Sequence, residues 1–517
     1  MATTARSLEP LTADVLYQGF RGLLDQFDDS HGGTGLQPKF PQPMIYEFLL
    51  RYHLRTGEPE ALEMVELTLE RMASGGIHDQ LGGGFHRYST DIYWLVPHFE
   101  KMLYDNALLA SLYLHVFQVT GKPLYRRIVE ETLDYVLREM ADSLGGFHSA
   151  QDADSEGVEG KFFVWRPEDI SDLLGREDGE IFNRIYGVTR VGNFEGYSIL
   201  HVADDIATVA HDSGLSEDDL ESLLSRSRAK LLDARSLRVA PERDDKVLTA
   251  WNGLMLRALA EAAAVLGRSD YAEKAKQNAN FLLNTLRREG RLLRTYRAGE
   301  AKLNGYLEDY ASLIDGLIAM HELTFETRWL DEAVSLGYAM VELFWDEASG
   351  QFYDTGHDHE ELIVRPREIS DNAVPSGGSM AAAVLLRLAV ITGDADLERR
   401  AVTALRSARQ LMTAVPAGAG HWLCALDFYL STAKEIAVVG DRGSIDTQAL
   451  VAEVYRHYLP NRVFLGRGSD GPPLPGIPLL EGREQIEGKP TVYVCQNYVC
   501  NLPVNEPEAL ARELAES

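Results

Sequence analysis

The residues best equipped for chemistry in this chain gather at the starts of strongly apolar stretches. His98 and Glu100 precede one that begins at Leu103, with Asp105 a turn inside it, and Asp245, Lys246, Trp251 and Asn252 lead into a second. Glu308, Asp309 and Tyr310 open a third, Asp371, Asn372 and Ser376 a fourth, and His421 with Trp422 a fifth. Carboxylates accept hydroxyl hydrogens, imidazoles move protons near neutral pH, and aromatic faces cover apolar ring surface. Together they would line a pocket for a polyhydroxylated ligand such as a sugar. The run WLVPHFEKMLYDN packs Trp94, His98, Glu100, Lys101 and Asp105 within one turn and its approach. A histidine paired there with a carboxylate has the makings of a general base. The same letters also have a structural reading. Asp309, Asp371 and Ser376 fall where helix N-caps belong, and His98 could be a core histidine donating to a carbonyl.

These residues need elements to hold them. Tyr125, Ile128, Val129, Leu133, Val136 and Met140 recur at helical spacing while charged residues fill the opposite face, which predicts an outer helix with one wet side. Leu103 to Phe117 and Leu254 to Leu266 are apolar nearly all round and predict buried inner helices. The alternation continues: Tyr271 to Leu286 and Trp329 to Leu343 are amphipathic, whereas Leu307 to Leu323 and Pro375 to Ile391 are buried in character. Glycine clusters punctuate it. Helical hairpins that bury their faces only against their neighbours imply a closed repeat, and the expected fold is all-α, an (α/α)6 toroid over residues 1–432. Its inner helices would run parallel, so their N-termini, with the polar residues above, would share one mouth. After Lys434 the pattern changes to strand, helix, strand, a Pro/Gly-rich loop, strand and a last helix, a small α/β appendage over 433–517. A hairpin is expected within Gly146 to Trp165.

Composition narrows the partners. Fifty basic against 79 acidic residues give a net charge of −29, the opposite of the basic footprint that nucleic acid requires. The longest apolar stretch, Met380 to Ile391, is interrupted by Arg387 and is too short to span a bilayer. The opening residues carry no secretory signal, and three cysteines suggest no disulfide framework, so a cytoplasmic protein is expected. Cys495 and Cys500 indicate neither a zinc ribbon nor a CxxC site. Asp152, Asp154 and Glu156 imitate half of a calcium loop, but Phe163 stands where the bidentate glutamate is needed. That acidic loop either turns toward the mouth or is a solvated tip. Asp354, His357, Asp358 and His359 have metal-capable types with no further ligand fixed by spacing, and no metal or cofactor is assigned. The GDRGS turn after a strand reads as an ordinary strand-to-helix turn.

Several long runs, among them GGGFHRYSTD (82–91), WLVPHFEKMLYDNA (94–107), SAQDADSEGVEGKFFVW (149–165), KVLTAWNGLM (246–255), EDYASLIDGLI (308–318) and DNAVPSGGS (371–379), resemble the spermatogenesis-associated protein 20 family. Its members are thioredoxin-domain-containing proteins whose larger C-terminal part is similar to the six-hairpin toroids of 2-epimerases and related glycosidases. The resemblance implies a carbohydrate ligand, with His98 and His421 as paired bases, or two of Glu100, Asp105, Asp152, Asp309 and Asp371 as a hydrolytic acid and base. His86, Arg87, Trp94, Asp152, Asp154, Lys246, Trp251, Asn252, Tyr310 and Ser376 are the substrate-facing candidates. The family's thioredoxin-like domain has no counterpart before Pro38, where the first 30 residues read as one helix. A third reading is therefore a scaffold that binds a sugar or a separate thioredoxin-like protein, with Leu16 and Phe20 forming an uncovered patch.

Overall fold

A computed structural model describes residues 9–360, 364–469 and 476–515. Twelve helices alternate outer and inner around one ring. In chain order they begin with α1 (Ala13–Leu24), α2 (Pro43–Thr56), α3 (Pro59–Ser74), α4 (Leu103–Thr120) and α5 (Pro123–Tyr135). After an insertion carrying α6 (Pro167–Leu174), α7 (Arg176–Ile185), α8 (Ile206–Ser213) and α9 (Glu217–Ser236), they resume. The second part holds α10 (Thr249–Leu266), α11 (Ser269–Thr285), α12 (Leu307–Thr324), α13 (Thr327–Phe344), α14 (Gly377–Thr392), α15 (Ala395–Ala414) and α16 (Gly420–Leu430). The inner helices α2, α4, α10, α12, α14 and α16 each pack on the next, and α16 returns to α2, which closes the (α/α)6 toroid.

The closure depends on glycine at close approaches. A Cβ on Gly420 would stand 2.7 Å from the backbone of Met44 on α2, and one on Gly253 would stand 2.6 Å from that of Ser312 on α12. Inner helices can touch backbone to backbone only where that atom is missing. The outer helices lay amphipathic faces on this ring. Leu16 and Phe20 of α1 are buried, with Phe20 stacked on Tyr52, so the uncovered patch anticipated there does not exist: α1 completes the outer ring. The single N-terminal helix expected over the first 30 residues spans Ala13–Leu24, and residues 1–8 lie outside those described.

Two regions depart from the pattern read in the sequence. The insertion α6–α9 has its own core around Trp165, Ile170, Phe182, Val209, Leu220 and Leu231. It is fixed to the toroid by Arg235, whose guanidinium grips both oxygens of buried Asp79 at 2.8 Å while Lys101 donates to the same carboxylate at 2.9 Å. The hairpin expected within 146–165 is divided. Ala150–Gln151 pairs with Lys101–Met102 and Arg243–Asp244, and only Asp154–Ser155 with Val158–Glu159 forms a tight turn.

In the appendage, strand Lys434–Val439 pairs parallel with Arg462–Arg467 and antiparallel with Thr491–Gln496, which carries the edge strand Val499–Cys500. Helices α17 (Ile445–Arg456) and α18 (Pro507–Ala515) cover it. The GDRGS turn ends in Ser444, which caps α17 by accepting from the Thr447 N–H. Part of the Pro/Gly-rich loop, 470–475, lies outside the described residues. Cys495 and Cys500 are joined as a disulfide, a correction to the expectation that the cysteines form no disulfide framework. Five residues apart in sequence, they become direct neighbours once the two strands pair. No helix among the described residues is long and apolar enough to cross a membrane.

Candidate functional site

Three cavities follow the toroid axis, and their linings step down the inner helices turn by turn. At the N-terminal mouth a cleft of about 390 Å³ is walled by Phe40, Gln42, Arg87, Tyr104, Asp105, Asp371 and Asn372. One or two turns deeper, Pro43, Glu47, Leu108, Pro375 and Met380 enclose a narrower space, which shares Arg51, His115, Arg257, Asp315, His421 and Cys424 with the third. The third lies under the appendage, whose Tyr455, Tyr458 and Arg462 line it. Tyr458 stacks on His115 at 4.4 Å between ring centroids and donates its hydroxyl to Glu47.

In the mouth, Asp105 and Asp371 are both buried but differently served. Asp371 accepts from the backbone N–H of Ser376 at 2.8 Å, the Ser379 hydroxyl at 2.7 Å and the N–H groups of His421 and Trp422 at 2.9 and 3.4 Å, so it ties the starts of α14 and α16 together. Burial still pushes its pKa upward against those donors. Asp105 has an oxygen, Oδ2, with no hydrogen-bond partner, and burial drives its pKa well above the usual carboxylate range, with Arg87 opposing and Glu100 assisting. Arg87 pairs with Glu100 at 2.9 Å, and Tyr104 meets Trp251 edge to face at 4.7 Å, which supplies aromatic surface beside the cleft.

His98 stands at the rim. Its Nδ1 lies 2.7 Å from Glu159 and its Nε2 3.5 Å from Glu100, and the ring stacks on Tyr88. The acidic loop thus reaches the rim through Glu159, whereas Asp152 and Asp154 are exposed at its turn. His421 points the other way. Its backbone hangs from Asp371, but its imidazole faces the two deeper cavities, so His98 and His421 do not flank one space. The Nε2 of His421 has no partner, and burial lowers its pKa to about 4, leaving it a neutral base at pH 7.

Other candidates hold the frame. Asp309 accepts from the N–H groups of Tyr306 and Ala250 and meets Arg294 at 3.2 Å, with burial raising its pKa to about 7. Tyr310 receives hydrogen bonds from Arg291 and the Leu292 N–H. Asn252 bonds both the N–H and the carbonyl of Phe147, and Ser376 caps α14. His86 bonds the Phe99 carbonyl inside an aromatic cluster. Trp94 is fully buried and donates to the His31 carbonyl, whereas Lys246 is half exposed beside Asp244. Asp358 and His359 both engage Arg291, and among the described residues no cluster is arranged to hold a metal ion.

The deeper lining escaped the reading of the sequence. Asp315 joins Arg257 and Arg387, each at 2.5 Å, and Glu322 takes a second nitrogen of Arg387 at 2.9 Å. His115 sits between Glu47 at 2.8 Å and Glu261 at 3.3 Å. Burial works against its protonation, but the two carboxylates outweigh it and raise its pKa. The signal was partly present: His115, Arg257 and Glu261, Asp315, Glu322 and Arg387 are isolated polar or charged residues inside stretches that otherwise read as buried. A charge where no wet face exists has to meet partners from neighbouring helices.

No family model matches the chain. Among solved structures, it is similar to a GH76 α-mannanase from Bacteroides thetaiotaomicron, at 9% identity and TM-score 0.47 over 80% of this chain and 95% of that one. It is similar also to a sugar epimerase from a ruminal bacterium, at 14% identity and TM-score 0.33 over 71% of this chain and 97% of that one. Likeness at that level assigns no chemistry. An uncharacterized protein of Caenorhabditis elegans is 29% identical over 94% of this chain and 71% of its own length. Human spermatogenesis-associated protein 20 is 35% identical over 98% of this chain and 70% of its own length, and the rat protein is 34% identical over the same shares. The chain belongs to the spermatogenesis-associated protein 20 family.

Proposed function

We propose that the axial cavities bind a free sugar and move a proton at the carbon beside its carbonyl, as in aldose–ketose isomerisation or 2-epimerisation. The observation that carries this reading is the unpartnered, neutral His421 imidazole at the base of a polar lumen that also holds His115, whose pKa moves in the opposite direction. Two titratable groups whose surroundings separate their pKa values are suited to act as base and acid. His421 would take the proton from carbon, and His115 or Asp105 would supply one to the sugar oxygen, so that an enediol forms and collapses with the proton returned. The lining suits an uncharged polyhydroxylated ligand, because Arg51, Arg257, Arg387 and Arg462 are matched by Glu47, Glu261, Asp315 and Glu322. The body of the sugar would lie in the mouth against Tyr104 and Arg87, with its carbonyl end directed inward.

A second reading, glycoside hydrolysis, is favoured by the carboxyl of Asp105, whose pKa burial raises in the sense that suits an acid protonating a leaving oxygen. Its weakness is the second carboxylate: Glu47, Glu261, Asp315 and Glu322 are all tied to cations. Saturation-transfer NMR with a panel of aldoses, ketoses and short oligosaccharides tests the ligand class. Monosaccharide binding that is lost in Arg87→Ala supports the proposal, and absence of binding by every sugar overturns it.

A further inference from the structure

At the outer edge of the appendage sheet, a guanidinium is aimed at a disulfide. Cys495 is buried and Cys500 is partly exposed, with their Cα atoms 3.9 Å apart across the antiparallel pair. Nη2 of Arg483 lies 2.8 Å from Cys500 Sγ and 3.7 Å from Cys495 Sγ. The same guanidinium lies over the Tyr493 ring at 5.0 Å, its Nε has no hydrogen-bond partner, and among the described residues no carboxylate forms an ion pair with it. A sulfur in a disulfide is neutral and a weak acceptor, so a full positive charge directed at it gains little. Beside a thiolate the same charge is strongly favourable and lowers the pKa of the thiol. The position of Arg483 makes sense for the reduced state.

We propose that Cys495–Cys500 is a thiol–disulfide exchange site that accepts two electrons from a dithiol, with Arg483 stabilising the thiolates. The attacking thiolate bonds to Cys500, the exposed sulfur, and the Cys495–Cys500 bond breaks with its electron pair leaving on Cys495. The second thiol of the reductant, after losing its proton, attacks its own sulfur in the mixed disulfide and releases Cys500. Two protons complete the two thiols, and the reductant leaves as its own disulfide.

The site also reaches the toroid. Between the two cysteines, Tyr498 donates its hydroxyl to the Val390 carbonyl of α14 at 2.8 Å and its N–H to Glu435 at 3.0 Å. Opening the disulfide frees the tip that holds this contact.

The test uses the intact chain and dithiothreitol. After millimolar reductant without denaturant, alkylation by iodoacetamide and intact-mass analysis should show a label at Cys500, the less buried cysteine of the pair. Cys424, which is buried, should label only after unfolding, and the Cys495→Ser/Cys500→Ser variant, which should take no native label, fixes that background. In the reduced protein the alkylation rate should be half-maximal at a pH below about 8, and Arg483→Gln should slow it about tenfold at neutral pH, the effect of one pKa unit, while Arg483→Lys retains most of the rate. A pair that resists reduction in the folded protein, or a midpoint at or above the free-thiol value of about 8.5, overturns the proposal. So does an Arg483→Gln variant with the wild-type rate.

Discussion

The mouth and the lumen of the toroid solve the burial of charge in opposite ways. In the mouth, Asp371 is served by backbone N–H groups and the Ser379 hydroxyl and holds two helix starts, and Asp105 is left without a partner for one oxygen. In the lumen, carboxylates meet arginines from neighbouring helices, and the group left without a partner is an imidazole, His421. A hydrogen-bonded cap fixes architecture with little cost if the ligand changes, whereas a buried ion-pair lattice fixes where each polar group can point. The groups that neither scheme satisfies are the ones free to act on a ligand, and they lie on either side of Asp371, which faces the mouth while holding the backbone of His421.

The largest effect should come from breaking the lattice. Asp315→Ala leaves Arg257 and Arg387 without their shared partner and should cost about 3–5 kcal/mol in denaturant unfolding. A loss below about 1 kcal/mol would mean that the lumen is solvated and the contrast with the mouth is false.

Acid should be nearly as damaging. His78, His321 and His421 are held neutral by burial, each with a pKa lowered to about 4, while the unfolded chain takes up protons from about 6.5. Because the unfolded state binds more protons in that window, stability should fall as pH drops from about 6.5 to 4, by up to about 3 kcal/mol for each histidine. His115 has the opposite sign: its raised pKa contributes stability at low pH that disappears as pH rises through the folded value. Unfolding of His421→Asn measured across this range should show a shallower acid limb, by about one proton, and an unchanged limb would place His421 in water.

Asp371→Ala should cost about 2–3 kcal/mol by leaving buried donors of two helix starts unsatisfied. Asp105→Asn, by contrast, should change stability by less than about 1 kcal/mol, since it substitutes an isosteric amide at an oxygen that has no hydrogen-bond partner to lose. Thermal unfolding of the two variants side by side checks whether one mouth carboxylate is structural and the other is spare.

The toroid was legible because its signal is repeated: amphipathic and all-apolar stretches alternate around the ring, and each inner start carries a cap-forming or aromatic residue. The insertion α6–α9 was not, because its short helices carry the same amphipathic pattern as outer ones and its anchor, Asp79 to Arg235, joins residues 156 apart. The site was half legible. Arg87, Asp105 and Asp371 come together in the mouth, but sequence position could not reveal that His421 turns its ring inward while His98 stays at the rim between two carboxylates. Direction around a helix is settled by packing, and the ring must close before it is defined. The Cys495–Cys500 bond was missed for a related reason, since strand register rather than spacing makes those residues neighbours.

The most direct measurement is proton NMR of a free aldose incubated in D2O with the wild-type protein, His421→Asn and His98→Ala. The account predicts deuterium appearing at C2 with the wild type, its loss with His421→Asn and its persistence with His98→Ala. Exchange that survives in His421→Asn, or that vanishes only in His98→Ala, would place the chemistry at the rim and contradict it.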